Sequence, residues 1–230
     1  MKINIIDLFC GAGGFSLGFE QEGFESVLAI DKWSDAVETY NYNRENKVAQ
    51  NIDIHDYTNE KILKLMNDYK ISGVIGGPPC QGFSLVGKRE KGDVRNSLYL
   101  EYVRFVDVSK PDFFILENVK GLLSMEKGLY KEDIIKRFTE LGYNVNYKLL
   151  KASDYGVPQS RERVFFIGLK KEKFGNVYYN FDLLSKKEMV STYDALCDLP
   201  SLDNGENPET YKLCPQNEFQ RMMRQNSNRL

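Results

Sequence analysis

Short apolar runs alternate with amphipathic stretches along most of this 230-residue chain, and this alternation restricts the fold more than any other feature. Ile3 to Phe9, Ile71 to Ile75 and Asp112 to Leu116 have the length of buried strands. The stretch that follows Thr58, by contrast, has its apolar residues at helical spacing. Such alternation is typical of a parallel sheet that is covered by helices on both faces. We therefore predict an α/β fold with a mostly parallel, doubly wound sheet.

The composition fits a well-packed domain, with 42% hydrophobic and 28% charged residues. No apolar run approaches the roughly 20 residues that span a bilayer, and no signal-peptide pattern is present, so we expect a cytoplasmic protein without a membrane segment. Cys10, Cys80, Cys197 and Cys214 form no Cys-x-x-Cys pair and His55 is the single histidine, which predicts neither a metal site nor a disulfide framework. The net charge of -2 means that a local patch must bind any anionic partner.

A glycine-rich turn, Cys10-Gly11-Ala12-Gly13-Gly14, follows the first strand and lets the backbone lie close to a ligand. A pyrophosphate-binding turn requires a third glycine at position 16, which is Ser16 here, and no Lys-Ser/Thr pair follows. Asp31 closes the second strand, where a carboxylate of this fold binds ribose hydroxyls. Asp53 lies in a short third segment around Ile52 to Ile54, placed to accept a hydrogen bond from an adenine amino group. These residues favour a nucleoside without a pyrophosphate.

Two reactive side chains follow the next strands. Cys80 lies in Gly76-Gly77-Pro78-Pro79-Cys80-Gln81-Gly82-Phe83-Ser84, just past a strand end, where open α/β sheets bind ligands. A free cysteine alone is more often a small buried hydrophobe than a nucleophile. Glu117, however, ends the following buried strand, where a carboxylate is costly unless it is paired or used. Thiolate, carboxyl group and nucleoside cofactor in one cleft suggest nucleophilic activation of a base for alkylation.

Four motifs follow one another between residues 3 and 169. They are Asp7-Leu8-Phe9-Cys10-Gly11-Ala12-Gly13-Gly14-Phe15-Ser16, the Cys80 motif, Glu117-Asn118-Val119 and Asp154-Tyr155-Gly156-Val157-Pro158-Gln159-Ser160-Arg161-Glu162-Arg163-Val164. In this order they resemble the motifs of the DNA (cytosine-5)-methyltransferases of bacterial type. The resemblance implies a Rossmann-like, S-adenosylmethionine-dependent methyltransferase fold. It also implies methyl transfer from S-adenosylmethionine to C5 of a cytosine in DNA.

The resemblance further assigns roles to residues of this chain. Cys80 would attack C6 of a flipped cytosine while Glu117 binds the N3 and N4 edge and stabilises protonation at N3. Arg163 would hold the O2 side of the base, with Arg161 supporting the loop or a nearby phosphate. Ser84 to Asn96 resembles a mobile loop that closes over base and DNA, with Ser84, Lys88, Arg89 and Arg95 as DNA contacts. The implied cofactor residues are Phe9, Gly11, Gly13, Gly14, Asp31, Lys32, Asp53, Ile54, Pro79 and Leu98.

The resemblance divides the chain into a cofactor-binding and catalytic domain, residues 1–170, and a connector, residues 171–230, towards a target-recognition domain. Because no sequence of that domain or of the family's last motifs is present, we expect a fragment, with the target sequence read by the missing part. The implied partners are double-stranded DNA and, as system partner, a cognate restriction endonuclease. Two alternatives stay open: a tRNA cytosine-5 methyltransferase, or a catalytically incomplete module that only binds cofactor or DNA.

Overall fold

The computed structural model describes residues 3–79 and 97–225. Its strands are β1 (Ile3–Leu8), β2 (Phe24–Asp31), β3 (Ala49–Asn51), β4 (Ile71–Gly76), β5 (Phe113–Val119), β6 (Tyr143–Lys151) and β7 (Glu162–Lys170). Its helices are α1 (Gly14–Gln21), α2 (Ser34–Tyr42), α3 (Asn59–Asp68), α4 (Ser97–Ser109), α5 (Leu129–Glu140), α6 (Lys171–Phe174), α7 (Thr192–Leu196) and α8 (Glu218–Arg224). None of the helices in these two ranges is long and apolar enough to cross a membrane.

The strands form one seven-stranded sheet in the order β3-β2-β1-β4-β5-β7-β6. Neighbours from β3 to β5 pair in parallel, whereas β7 runs antiparallel to β5. The predicted α/β fold with a mostly parallel, doubly wound sheet is confirmed. The chain order reverses between β1 and β4, and in such a sheet the crevice beyond the carboxyl ends of these two strands is where ligands bind.

Both faces of the sheet are covered, and β2 illustrates this. Leu28 and Ile30 belong to a large core cluster that includes Ile62 of α3, with residues of α4 and α5. Ala29, between them, belongs to a second cluster with Val37 and Tyr40 of α2. Since successive side chains of a strand point to opposite faces, the two clusters lie on opposite sides of the sheet.

Aromatic side chains fasten α4 and α5 to the central strands. The Phe114 and Phe138 rings are stacked with centroids 4.0 Å apart, and both side chains are fully buried. The Tyr102 hydroxyl of α4 lies 3.0 Å from the Val74 carbonyl oxygen and 2.9 Å from the Ile115 carbonyl oxygen. Because those carbonyls belong to β4 and β5, this buried hydroxyl holds the two strands together where the site begins.

The chain divides into two compact units, Met1–Leu149 with Arg163–Phe181, and Leu150–Glu162 with Asp182–Leu230. The first unit contains most of the sheet. In the second, a capping box between Ser191 and Asp194 starts α7, and Arg224 of α8 donates to the buried Asp198 carboxylate over 2.8 Å. The predicted boundary at residue 170 separates a catalytic domain from a connector by function, whereas the two units here are separated by compactness. The predicted boundary stays a prediction.

The stacked Phe138 ring provides a test of this core. Replacing Phe138 by alanine leaves a cavity beneath the sheet, and we expect a loss of about 3–5 kcal/mol in the free energy of unfolding, measured by urea denaturation. The matched control is Phe174→Ala, because the Phe174 side chain of α6 is 37% exposed. A loss for Phe174→Ala as large as that for Phe138→Ala would contradict the packing described.

Candidate active site

The glycine-rich turn after β1 is held in a left-handed backbone conformation. Gly11 has φ 52° and Gly13 has φ 87°. A Cβ atom at Gly13 would lie 2.5 Å from both Arg44 Nη1 and Tyr40 Cδ2, so no larger residue fits there. The Arg44 guanidinium stacks 3.8 Å from the centre of the Tyr40 ring and donates through Nη2 to the Gly13 carbonyl oxygen over 2.7 Å. The sequence motif did not reveal Arg44, which lies just beyond α2.

The side-chain carboxylate of Asp7, a residue of β1, lies at the amino end of α1. The helix starts at Gly14, and its N-cap, Gly13, has no side chain to accept a hydrogen bond. The fully buried Ser16 hydroxyl and the Ser16 backbone N–H both donate to the Asp7 carboxylate instead. Burial raises the pKa of Asp7 to about 7, although the bonds from Ser16 lower it. Dinucleotide-binding folds place a pyrophosphate at this helix end, so Asp7 and Ser16 explain why a phosphate-free ligand suits this turn.

A cavity of about 290 Å³ opens beside the carboxyl ends of β1, β2 and β4. Such a volume lies at the lower end of the range for small-molecule sites. Gly11, Gly13 and Gly14, which were predicted to bind the cofactor, are not among the described lining residues. Three lining residues were not predicted as part of the site. Ile30 and Ile52 add apolar side chains to its wall, and Gly77 adds backbone. The lining residues are Phe9, Ile30, Asp31, Lys32, Ile52, Asp53, Ile54, Gly77, Pro79 and Leu98.

Two carboxylates of this cavity are fixed by hydrogen bonds. Asp31 accepts from the Gly11 N–H over 2.8 Å and from the Trp33 N–H over 2.9 Å, one bond to each oxygen. Asp53 lies 2.8 Å from Lys32 Nζ and 2.6 Å from His55 Nδ1. The bonds from Lys32 and His55 hold the pKa of Asp53 well below its usual range. The cavity thus presents oriented acceptor oxygens beside apolar side chains.

Glu117 and Arg163 form an ion pair at the end of β5. Glu117 Oε1 and Arg163 Nε are 2.9 Å apart, and each side chain is about one quarter exposed. Arg163 pairs with Val119 across the antiparallel β5–β7 ladder, which places it diagonally opposite Glu117. A Cβ atom at Gly77 would lie 3.0 Å from Glu117 Oε2. Because Gly77 also lines the cavity, the carboxyl group and the cavity meet at this glycine.

The remaining predicted site residues either fall outside the residues that the structure describes or belong to the second compact unit. Cys80, Ser84, Lys88, Arg89 and Arg95 are outside the described residues. Arg161 belongs to the second compact unit, where it is exposed.

Cys10 follows the first strand but is buried, and desolvation raises the pKa of its thiol well above its usual range. Because a thiolate is the reactive form, Cys10 is a structural thiol.

A second cavity of about 940 Å³ lies within the second unit. Its walls include Val157, Met189, Met222 and Met223, and the cavity holds none of the predicted catalytic or cofactor residues. Asp194 lines it, but its carboxylate is engaged in the capping box of α7.

The mixed seven-stranded sheet and the cavity at its strand ends define a Rossmann-like fold of the methyltransferase class. A family profile for C-5 cytosine-specific DNA methylases matches residues 3–229. This chain belongs to that family, which confirms the predicted resemblance and implies a methyl donor of the S-adenosylmethionine type. The roles of the individual site residues stay predictions.

Among curated relatives, Type II methyltransferase M.DdeI of Desulfomicrobium norvegicum is 44% identical over 98% of this chain and 55% of its own length. Type II methyltransferase M.AquIA of a Picosynechococcus strain is 36% identical over 87% of this chain and 90% of its own length. The crystal structure of an E. coli prophage protein described as a DNA modification methyltransferase superimposes with a TM-score of 0.79 at 33% identity, over 96% of this chain and 63% of that one. The chain spans about half the length of the first curated relatives it matches.

Gly13 and Gly14 form a matched pair for testing the turn. A methyl group at Gly13 meets Arg44 and Tyr40 in a left-handed conformation, whereas one at Gly14 meets nothing within 4 Å. We expect Gly13→Ala to lose about 1–3 kcal/mol of stability and to bind S-adenosylhomocysteine more weakly. Gly14→Ala should leave the stability near the wild-type value. Thermal unfolding measures stability and calorimetric titration measures binding, and an equal loss of stability in the two variants would refute the assigned turn geometry.

Asp7 should make stability depend on pH. Its folded-state pKa of about 7 exceeds the ordinary 3.8, so the folded chain keeps a proton that the unfolded chain releases, and stability falls as pH rises through that window. The amide introduced by Asp7→Asn cannot ionise but still accepts from Ser16. We expect Asp7→Asn to gain stability relative to wild type by roughly 1 kcal/mol per pH unit between about pH 5 and 7.

Denaturant titrations at several pH values measure this difference. The control is Asp68→Asn at the exposed end of α3, for which the difference from wild type should stay constant. A constant difference for Asp7→Asn as well would mean that Asp7 is ionised throughout.

Proposed function

We propose that this chain carries the cofactor-binding and catalytic part of a DNA (cytosine-5) methyltransferase. The observation that carries the proposal is the position of Gly77, which lines the nucleoside-sized cavity and leaves no room for a side chain beside the Glu117 carboxyl group. A methyl donor in the cavity and a base held by Glu117 would then be neighbours. Membership of the family supports the same reaction.

The residues of the cavity fit S-adenosylmethionine. Asp31 suits the ribose hydroxyls and Asp53 the adenine amino group, because ionised carboxylates accept strong hydrogen bonds from both. Ile52, Ile54 and Leu98 supply apolar surface for the purine. The amino end of α1 is already filled by Asp7, in keeping with a cofactor that has no phosphate. When bound, S-adenosylmethionine supplies an electrophilic methyl group on a sulfonium.

Cys80 is the proposed nucleophile. Its thiolate forms a bond to C6 of the flipped cytosine, and the electrons of the C5–C6 double bond shift towards N3. Glu117 hydrogen-bonds the N3 and N4 edge and stabilises the proton at N3, so the ring becomes an enamine that is nucleophilic at C5. After C5 has taken the methyl group, loss of the C5 proton and cleavage of the Cys80–C6 bond restore the aromatic ring.

Arg163 has two parts in this scheme. In the unbound chain its Nε fixes one oxygen of Glu117 over 2.9 Å, which leaves the other oxygen on the side of Gly77. With a base bound, the guanidinium would also hold the cytosine O2 side, as a planar donor group can serve two acceptors at once. Arg161 is proposed to support the adjoining loop or a phosphate.

The proposed substrate is double-stranded DNA, with Ser84, Lys88, Arg89 and Arg95 as backbone contacts and a cytoplasmic site of action. The names of the relatives, Type II methyltransferases, support a restriction-modification setting with a cognate endonuclease as system partner. Residues 1–170 would perform the chemistry, with residues 171–230 as connector to target recognition.

Covalent trapping tests the mechanism. In the intact protein with S-adenosylmethionine present, duplex DNA that contains 5-fluorocytosine should form a stable adduct, since fluorine cannot leave C5 as a proton does after the methyl group has been transferred. Cys80→Ser should abolish the adduct on a denaturing gel, whereas Cys214→Ser, which changes an exposed thiol, should retain it. An adduct that persists in Cys80→Ser would contradict the proposed covalent mechanism. Methylation of tRNA in place of duplex DNA would overturn the proposed substrate.

A further inference from the structure

Asn118 is a buried polar residue that the mechanism above does not use. It follows Phe114 and Leu116 on the face of β5 that packs into the large core cluster, and it is only 5% exposed. A buried amide costs free energy unless both of its ends are hydrogen-bonded, so an apolar residue would be the ordinary choice at this position. Its partners therefore indicate what the amide does.

Both ends of the Asn118 amide are engaged. Nδ2 donates to the Pro78 carbonyl oxygen over 2.9 Å, and Oδ1 accepts from the Val119 N–H over 2.8 Å. Since one partner is an acceptor and the other a donor, the orientation of the amide is fixed. The side chain thus links β5 to the segment that leaves β4.

The two prolines of that segment cannot bind β5 through backbone donors. Parallel pairing of β4 with β5 ends at Gly76 and Leu116. Pro78 and Pro79 have no N–H, so the ladder cannot continue through them, and Pro78 is buried where its carbonyl needs a donor. Asn118 provides that donor and extends the attachment of the segment beyond the last ladder pair.

The neighbouring residue, Glu117, lies beside the same segment on the other face. Successive side chains of β5 point to opposite faces of the sheet, and Glu117 Oε2 lies where a Cβ atom at Gly77 would be only 3.0 Å away. The Gly77-Pro78 segment therefore lies beside two adjacent side chains of one strand. A shift of this segment would change its distance from the Glu117 carboxyl group.

We propose that Asn118 is a positioning residue for the reaction, which sets the Gly77-Pro78 backbone against the Glu117 carboxyl group. The inference rests on the proposed function for its catalytic consequence. Its structural part, the attachment of the segment by one side-chain hydrogen bond, can be tested separately.

The test compares Asn118 with Asn144, a buried asparagine of β6 whose Nδ2 donates to the carbonyl oxygens of Gly175 and Val177 over 2.7 and 2.9 Å. In the intact protein, Asn118→Ala should slow adduct formation by roughly 10- to 100-fold when 5-fluorocytosine DNA and S-adenosylmethionine are both saturating. Asn144→Ala should lose comparable stability but keep the wild-type rate. A rate in Asn118→Ala that equals wild type, or that falls only in proportion to stability as in Asn144→Ala, overturns the proposal.

Asn118→Asp is an isosteric variant that replaces Asn118→Ala if the alanine variant does not fold. Its rate of adduct formation should also depend on pH. An ionised aspartate cannot donate to the Pro78 carbonyl oxygen, but a protonated one can. The rate of Asn118→Asp relative to wild type should therefore rise as pH falls, whereas the relative rate of Asn144→Asp should not. A relative rate for Asn118→Asp that is flat with pH contradicts the donor role.

Hydrogen exchange separates this proposal from the proposed function. The Gly77 amide should exchange faster in Asn118→Ala or Asn118→Asp than in wild type, and at the wild-type rate in the Asn144 variants. If wild type forms no adduct while this exchange pattern holds, the function fails and the positioning role stands. If wild type forms the adduct and Gly77 exchange is the same in all variants, the positioning role fails.

Discussion

The close packing of β4 between β1 and β5 is the constraint on which the rest of the site depends. A side chain at Gly76 would overlap the Leu8 carbonyl oxygen and press on the Tyr102 ring, so only glycine fits between the strands there. Tyr102 in turn holds the carbonyls of β4 and β5 together. Beyond Gly76 the prolines end the ladder, and the chain leaves the sheet between the cavity beside β1 and the carboxyl group of β5.

The charged groups differ on the two sides of the segment that leaves β4. On the β1 side, the Asp7 carboxylate fills the amino end of α1, and Asp31 and Asp53 line the cavity with carboxylate oxygens, which favour hydrogen-bond donors over anions. On the β5 side, the ion pair with Arg163 keeps the Glu117 carboxyl group in a fixed orientation. Orientation of this kind lowers the reorganisation needed when a substrate binds.

The sequence predicted correctly those features of the site that the course of the backbone alone determines. Strand ends place Asp31, Glu117 and the glycine turn, and motif order was enough to indicate the family. Contacts between side chains that are distant in sequence could not be predicted, because no local sequence pattern indicates that Arg44 contacts Gly13 or that Asn118 contacts Pro78. The third strand also illustrates the limit: Ile52 and Ile54 have a strand-like pattern, yet β3 is Ala49–Asn51, because the isoleucines turn out of the sheet to line the cavity.

We expect the smaller cavity at the strand ends, rather than the larger one of the second unit, to bind the cofactor next to Glu117. Hydrogen–deuterium exchange of the intact protein with and without S-adenosylhomocysteine distinguishes the two cavities. Exchange should become slower at the backbone amides of Gly11, Trp33 and Gly77, with no change in peptides that contain Met189 or Met222. Protection confined to the Met189 and Met222 peptides would contradict it.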